Sequence, residues 1–139
     1  MKALSLFVAT AVTMLTAIPA QAAQPITGRW STDEGKAIVQ IAPCGREVCG
    51  RIEKIVKPTP GRPQTDIKNP DAALRSKPLV GTAILSGFRE DGDIWKGKIY
   101  DPESGKTYNS KVSRNGDGTL KVQGCIAFLC QTRTWTPLR

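Results

Sequence analysis

The sequence predicts an all-β domain, an eight-stranded antiparallel up-and-down barrel with one short helix in the crossing between strands 3 and 4. Short segments alternate between apolar and polar residues, and tight-turn residues separate most of them. In a central hairpin, the side chains of one face are predicted to point into the interior and those of the other face to point into solvent. Eight short strands favour closure into a barrel, which removes sheet edges. A β-sandwich is the alternative architecture, and a five-stranded OB-fold ranks third.

The first 22 residues are predicted to be a signal peptide. Lys2 gives a positive start, residues 3–17 are apolar, and Ala20-Gln21-Ala22 is a small-x-small cleavage site. The apolar run is too short for a comfortable transmembrane helix, so no membrane span is expected after cleavage. Residues 23–139 then form a single barrel domain of an exported protein, either periplasmic or secreted.

The first three strands are predicted before a segment rich in proline and glycine. Strand 1 covers residues 26–33, strand 2 residues 36–42 and strand 3 residues 50–57. Strands 2 and 3 are rich in Ile and Val, which suit a pleated, half-buried environment. The turn before strand 2 is assigned to Glu34-Gly35.

An irregular crossing follows strand 3, where four turn-forming residues fall close together: Pro58, Pro60, Gly61 and Pro63. A short helix is predicted over residues 69–75, with Asn69 as N-cap and Pro70 in the first turn. Asp71 would be stabilised there by the helix dipole.

The remaining five strands are predicted over residues 79–88, 93–100, 107–113, 119–123 and 130–136. Strand 4 is expected to bend at Gly81. Glu90-Asp91-Gly92 turns the chain into strand 5, and residues 115–118, Asn-Gly-Asp-Gly, make a strong turn before strand 7.

The hairpin of strands 5 and 6 has a register that can be predicted. Its Asp-Pro-x-x-Gly turn places Asp101 opposite Lys106, and Trp95 then lies opposite Val112. The interior face would hold Trp95, Gly97, Ile99, Tyr108, Ser110 and Val112. The solvent face would hold Lys96, Lys98, Tyr100, Thr107, Asn109 and Lys111.

Composition limits the function. The chain carries a net charge of +8 and no histidine. The missing histidine excludes Ser-His-Asp and Cys-His catalysis, zinc motifs of the His-Glu-x-x-His kind and haem attachment through Cys-x-x-Cys-His. No catalytic residue, metal site or cofactor is therefore predicted. Nucleic acid is not expected as a partner, because the protein is exported and aromatic residues rarely interleave with the basic ones.

Four cysteines form two Cys-x-x-x-x-Cys pairs, and an even number in an exported protein favours disulfides. Sequence allows three pairings. The local bridges Cys44–Cys49 and Cys125–Cys130 are favoured because each pair flanks a four-residue loop. A four-thiolate zinc site and a redox pair are the less favoured alternatives.

Four residues are candidates for a ligand site. Trp95 and Tyr108 either fill the core, as the other tryptophans would, or line a cavity for a small apolar ligand. Asp66 and Arg75 lie in the crossing, where a structural ion pair is favoured over a catalytic carboxylate.

Ordered motifs along the chain resemble the exported bacterial family called domain of unknown function 2147. They are Gly28-x-Trp30, Pro43-Cys44-Gly45, Cys49-Gly50-Arg51-Ile52, Asp66-x-x-Asn69-Pro70-Asp71, Leu74-Arg75, Pro78-Leu79-x-Gly81, Ile99-Tyr100-Asp101-Pro102-x-x-Gly105-Lys106-x-Tyr108, Gly124-Cys125 and Trp135. The resemblance implies a lipocalin-like barrel and no established activity. Gly28-Arg29-Trp30 also resembles the lipocalin Gly-x-Trp, whose tryptophan stacks on an arginine of the last strand. Arg133 is the candidate for that arginine, with Arg139 second.

Three functions are consistent with the sequence. The first is a non-enzymatic barrel that binds a small hydrophobic or amphipathic molecule at its open end, near the Asp66–Arg75 crossing. The alternative is an envelope-associated module that binds anionic polymers or a protein partner through a basic face, formed by Lys96, Lys98, Lys106 and Lys111. The third is a carboxylate-dependent hydrolase using Asp66.

Overall fold

The structure, a computed structural model, describes residues 9–139 and contains the predicted closed barrel. Eight antiparallel strands each pair with the next, and β8 pairs with β1 to close the ring. They are β1 (Gly28–Ser31), β2 (Ala37–Cys44), β3 (Glu47–Ile55), β4 (Ala83–Asp91), β5 (Ile94–Asp101), β6 (Lys106–Arg114), β7 (Leu120–Ile126) and β8 (Leu129–Pro137).

The segment before the barrel is described in part. Residues 1–8 of the expected signal peptide lie outside the described residues, and residues 9–22 are exposed without regular secondary structure. Buried positions begin at Ala23, so residues 9–22 add nothing to the core of the barrel. Within residues 9–139, no helix combines the length and the apolar character needed to cross a bilayer.

Several of the predicted strand boundaries were wrong by three or four residues. The β2–β3 connection is a tight turn at Gly45 and Arg46, because Cys44 pairs with Glu47 and the ladder continues through both cysteines. β4 begins at Ala83 and not at residue 79, because Leu79 and Gly81 belong to the turn that ends the crossing. The irregularity in β4 is a bulge between Ser86 and Arg89.

The helix predicted in the crossing is a single 3₁₀ turn, Ala72–Leu74. Its N-cap is Asp71, whose side chain accepts a hydrogen bond from the Ala73 amide at 3.0 Å. Asn69, the predicted N-cap, lies two residues before Asp71 and accepts a hydrogen bond from the Asp71 amide. A second 3₁₀ turn, Asp33–Gly35, occupies the predicted Glu34-Gly35 turn.

The register of the central hairpin is confirmed: Asp101 pairs with Lys106 and Trp95 with Val112. Val112 and Ser110 are buried on the predicted interior face, and the lysines of the other face are exposed. Tyr100 is the exception. It was predicted to face water but is half-buried against the core, because the crossing covers this part of β5.

One end of the barrel, which we call the plugged end, is filled by large apolar side chains. The fully buried members include Ile26, Trp30, Phe88, Val112 and Leu120. Residues 23–27 extend across this end. The indole N–H of Trp30 donates to the Ile26 carbonyl at 3.0 Å, and that of Trp95 donates to the Gln24 carbonyl at 2.9 Å.

Phe88 of β4 occupies the space over a glycine of the neighbouring strand. A Cβ atom added at Gly97 would lie 2.5 Å from Phe88 Cδ2 and 2.7 Å from the Ser86 carbonyl oxygen. Gly50 makes room for Leu85 in the same way, with a Cβ to side-chain distance of 3.0 Å. Glycine at these two positions therefore lets β4 place large side chains directly against the sheet.

Both local disulfides are confirmed, Cys44–Cys49 in the β2–β3 hairpin and Cys125–Cys130 in the β7–β8 hairpin. All four sulfurs are used, which is incompatible with the four-thiolate zinc alternative. Structural disulfides are typical of proteins that fold outside the cytoplasm.

The Phe88 packing yields a stability prediction. We expect Gly97→Ala to lower the free energy of unfolding by about 1–3 kcal/mol, because the added methyl group overpacks the core. Gly116→Ala is the matched control, since its Cβ would meet nothing within 4 Å. Its effect should stay within about 0.5 kcal/mol. Urea denaturation measures both, and equal stabilities of the two variants would contradict this account of the packing.

Candidate functional site

A cavity of about 710 Å³ lies at the other end of the barrel, which we call the open end. The β1–β2, β5–β6 and β7–β8 loops and the crossing, residues 56–82, meet at this end. Because the large side chains fill the plugged end, the interior volume near these loops stays free.

The cavity has an apolar wall and a polar rim. The wall includes Ile52, Leu79, Ile84, Ile99, Tyr108, Val122 and Trp135. The rim includes Asp33, Glu34, Lys36, Lys57, Arg62, Glu103 and Arg133. Gly124 also lines the cavity, and a Cβ added there would make ordinary contacts with Ile99 at 3.5 Å and Tyr108 at 3.8 Å.

The structure separates the two aromatic residues proposed for the ligand site. Tyr108 is half-buried in the cavity wall, whereas Trp95 lies near the plugged end and is absent from the lining. Trp135 of β8 lines the cavity wall and is 4% exposed. Trp135 was predicted only as a core residue, and the sequence did not indicate how far along the barrel the free volume begins.

Asp66 is a buried residue of the crossing and does not line the cavity. Its carboxylate accepts two hydrogen bonds, from the Tyr100 hydroxyl at 2.6 Å and from the Asn69 side-chain amide at 2.8 Å. Burial and the adjacent Asp66 carboxylate raise the pKa of Tyr100 to about 12. The pair holds the crossing against β5.

The predicted ion pair between Asp66 and Arg75 is not formed. Arg75 is exposed and donates to the backbone carbonyls of Asn69 at 2.7 Å and Pro70 at 3.4 Å. Arg75 therefore bonds to the backbone just before its own 3₁₀ turn, while Tyr100 of β5 and the neighbouring Asn69 satisfy Asp66. Neither Asp66 nor Arg75 reaches the cavity.

Two of the rim cations already have carboxylate partners. Lys36 lies 3.1 Å from Glu34, and Arg133 lies 3.4 Å from Asp33. The Lys36 ammonium lowers the pKa of Glu34 through its hydrogen bond and its charge. Lys57 donates to the backbone carbonyl of Glu34 at 2.7 Å.

Arg62 differs from the other rim cations because it is half-buried. One of its terminal nitrogens donates to the Pro102 carbonyl at 2.5 Å. Its Nε is fully buried and has no hydrogen-bond partner among the described residues, nor does the guanidinium form an ion pair with any of them. The sequence carried no signal for this site, because the path of the crossing decides where Arg62 lies.

The predicted partner of Trp30 was wrong. Arg114, at the end of β6, lies over the Trp30 ring with its guanidinium carbon 5.2 Å from the ring centroid. Arg133 points to the open end and pairs with Asp33. Strand order alone could not choose between the two, since both arginines follow the alternation of their strands.

The predicted basic face, Lys96, Lys98, Lys106 and Lys111, is exposed on β5 and β6. Lys96 lies opposite Lys111 in the ladder and is 2.5 Å from Asp91. Lys98 donates to the side-chain oxygen of Asn109 at 2.5 Å. The positive charge of this face is therefore partly neutralised. In residues 9–139, no three His, Cys, Asp or Glu side chains cluster in a way that could hold a metal ion.

Comparison with known proteins agrees with this fold. Residues 28–137 match the model of a family described as "Uncharacterized protein conserved in bacteria (DUF2147)". The fold is similar to that of protein HP1028 from Helicobacter pylori, described as belonging to the lipocalin family. The TM-score is 0.72 and the identity 24%, over 83% of this chain and 84% of that chain. No curated protein is significantly similar in sequence.

The Tyr100–Asp66 contact makes stability depend on alkaline pH. A tyrosine in the unfolded chain loses its proton at about pH 10, whereas Tyr100 in the folded protein keeps its proton up to about pH 12. The contribution of this contact should be complete below the lower value and lost as the pH rises towards the higher one. Tyr100→Phe should remove the high-pH component from an ultraviolet titration and flatten stability over this range.

The chain has two tyrosines, so Tyr108→Phe is the control and should keep the component near pH 12. If Tyr108→Phe titrated entirely near pH 10, roughly the value of a free tyrosine, the burial of the Tyr100 hydroxyl would be disproved.

Proposed function

The chain belongs to the DUF2147 family of uncharacterized bacterial proteins, and we propose that it binds a small amphipathic molecule inside its barrel. The observation that carries this proposal is the cavity of about 710 Å³ at the open end. Its volume falls within the range of roughly 300–1,000 Å³ that is usual for small-molecule sites. An apolar wall with a few polar groups at one end suits a ligand with an apolar body and one polar group.

Arg62 supports an anionic polar group on that ligand. Moving a guanidinium partly out of water costs free energy, and for Arg62 no carboxylate in residues 9–139 compensates this cost. Its Nε–H also has no acceptor among the described residues. A ligand carboxylate, sulfate or phosphate at the rim would accept this hydrogen bond. Lys57 adds a second cation on the same rim without a carboxylate partner in the described chain.

We infer a binding role and not a catalytic one, in an exported protein of the periplasm or the external medium. The absence of histidine and the isolation of Asp66 from the cavity support a non-enzymatic role. The leader-like residues 1–22 and the two disulfides support export.

A second candidate function is the binding of anionic envelope polymers, or of a protein partner, through the basic face. Lys96 and Lys111 lie directly opposite each other, an arrangement that costs stability in the free protein. An anionic partner would relieve this repulsion. The Asp91 contact to Lys96 already relieves part of it, which is why the cavity is the stronger basis for a function.

Filling the cavity tests the first proposal. We expect dodecanoate to bind to the protein and to change the fluorescence of Trp135 in the cavity wall. Gly124→Leu should weaken this binding at least tenfold, roughly, because its side chain occupies the ligand volume. Native mass spectrometry and fluorescence titration measure the effect. Gly116→Leu, in an open turn, is the control and should bind as the natural chain does. Undiminished binding to Gly124→Leu would place the ligand elsewhere.

Arg62 is tested with two ligands that differ in charge. Arg62→Gln should weaken dodecanoate binding by roughly tenfold or more, since charge-assisted hydrogen bonds contribute about 1.5–3 kcal/mol. The affinity for dodecanol should change little, because the alcohol carries no charge for Arg62 to neutralise. Equal losses for the two ligands would mean that Arg62 shapes the site and does not recognise an anion.

A further inference from the structure

The β7–β8 hairpin ends in an exposed apolar tip, Ile126-Ala127-Phe128-Leu129. The exposed fractions are 68% for Ile126, 89% for Phe128 and 69% for Leu129. These values are high for large apolar residues in a folded domain, and the three side chains are contiguous. Contiguous exposed apolar side chains mark surfaces that bind a protein or a membrane.

The covalent structure keeps the apolar tip extended into solvent. Cys125 and Cys130 lie directly opposite each other and are joined by a disulfide, with Ile126 paired to Leu129 beyond them. The two-residue turn places Ala127 at a φ of +52°, where glycine or asparagine is the usual residue. Alanine therefore occupies a turn position whose backbone conformation is less favourable for it than for glycine or asparagine.

The apolar tip lies at the mouth of the cavity. Ile126 and Leu129 contribute to the cavity lining at its outer edge, and the crossing flanks the same mouth through Pro58, Thr59 and Arg62. Residues 56–82 of the crossing contain five basic side chains, Lys57, Arg62, Lys68, Arg75 and Lys77. They contain two acidic ones, Asp71 and the buried Asp66. The apolar tip thus lies beside a crossing that carries three more basic than acidic side chains.

We propose that the apolar tip inserts into the interface of a lipid bilayer with anionic headgroups and holds the cavity mouth at that surface. Three apolar side chains without a hydrogen-bonding side chain among them match the boundary between headgroups and acyl chains. The cations of the crossing match the negative surface potential of anionic lipids. A protein partner is the less favoured occupant, because the tip offers it no side-chain hydrogen bonds. The proposal does not depend on what the cavity binds.

The test uses residues 23–139, which contain every buried residue of the described chain. Co-sedimentation is measured with vesicles of equal parts phosphatidylglycerol and phosphatidylcholine, and with phosphatidylcholine alone. We expect binding to the anionic vesicles that weakens with salt. The affinity of the double variant Phe128→Ser/Leu129→Ser for the anionic vesicles should be lower by roughly tenfold or more, because burying one large apolar side chain changes an affinity by about tenfold.

Two control variants separate the tip from other surfaces. Leu138→Ser removes an exposed leucine near the plugged end and should bind as residues 23–139 do. Lys98→Glu/Lys111→Glu reverses charge on the basic face and should retain most of the binding. If the lysine variant lost binding while the tip variant kept it, the basic face would be the lipid contact and the proposal would be overturned. Failure of residues 23–139 to bind either vesicle would overturn it as well.

A second measurement locates the inserted residue. Phe128→Trp adds one tryptophan to the three of the natural chain, and brominated lipid should quench its emission beyond the quenching of the native tryptophans. Equal quenching with and without the added tryptophan would show that the tip stays in water. Phe128 is absent from the cavity lining, so the single variant Phe128→Ser should weaken vesicle binding and leave dodecanoate binding unchanged. Loss of vesicle binding and loss of ligand binding are therefore separate results.

Discussion

The packing of Phe88 against Gly97 sets the division of the barrel interior on which the rest of the structure depends. It lets β4 place an aromatic ring directly on the sheet, in the same buried core cluster as Ile26 and Trp30. A barrel of eight strands encloses little more than the volume of its own side chains. Large side chains fill the interior at the plugged end, and a cavity of about 710 Å³ stays free at the open end.

The crossing determines the shape of the cavity mouth, and a buried carboxylate holds the crossing in place. Asp66 accepts hydrogen bonds from Tyr100 on β5 and from Asn69 in the crossing itself, so its charge is satisfied without a cation. Arg62 adds a contact to Pro102 in the β5–β6 turn. The backbone of Lys68 lies so close to Gly105 that no larger residue fits in that turn. These contacts place Arg62 at the rim with an unused donor.

The open end therefore brings together three surfaces of different chemistry: an apolar wall, a rim with a half-buried cation, and an apolar tip outside the mouth. The two disulfides stiffen one hairpin at each end of the barrel, and the one at the open end holds the tip in its exposed position. An amphipathic ligand and an anionic bilayer have the same complementary features, an apolar part next to a negative charge. The two proposals therefore draw on the same physical properties of the mouth and are tested by different residues.

From the sequence alone, the eight strands, the hairpin register and the preference for local disulfides could be predicted, because these follow from alternation, turn residues and short separations along the chain. The sequence also determined which side chains of β5 and β6 face inward, except where the crossing covers Tyr100. Contacts between distant segments were decided only by the tertiary structure. Asp66 pairs with Tyr100 and not with Arg75, and Arg114 and not Arg133 covers Trp30. Alternation fixes the side of the sheet to which a residue points, but the path of the crossing and the height along the barrel axis depend on how every strand packs at once.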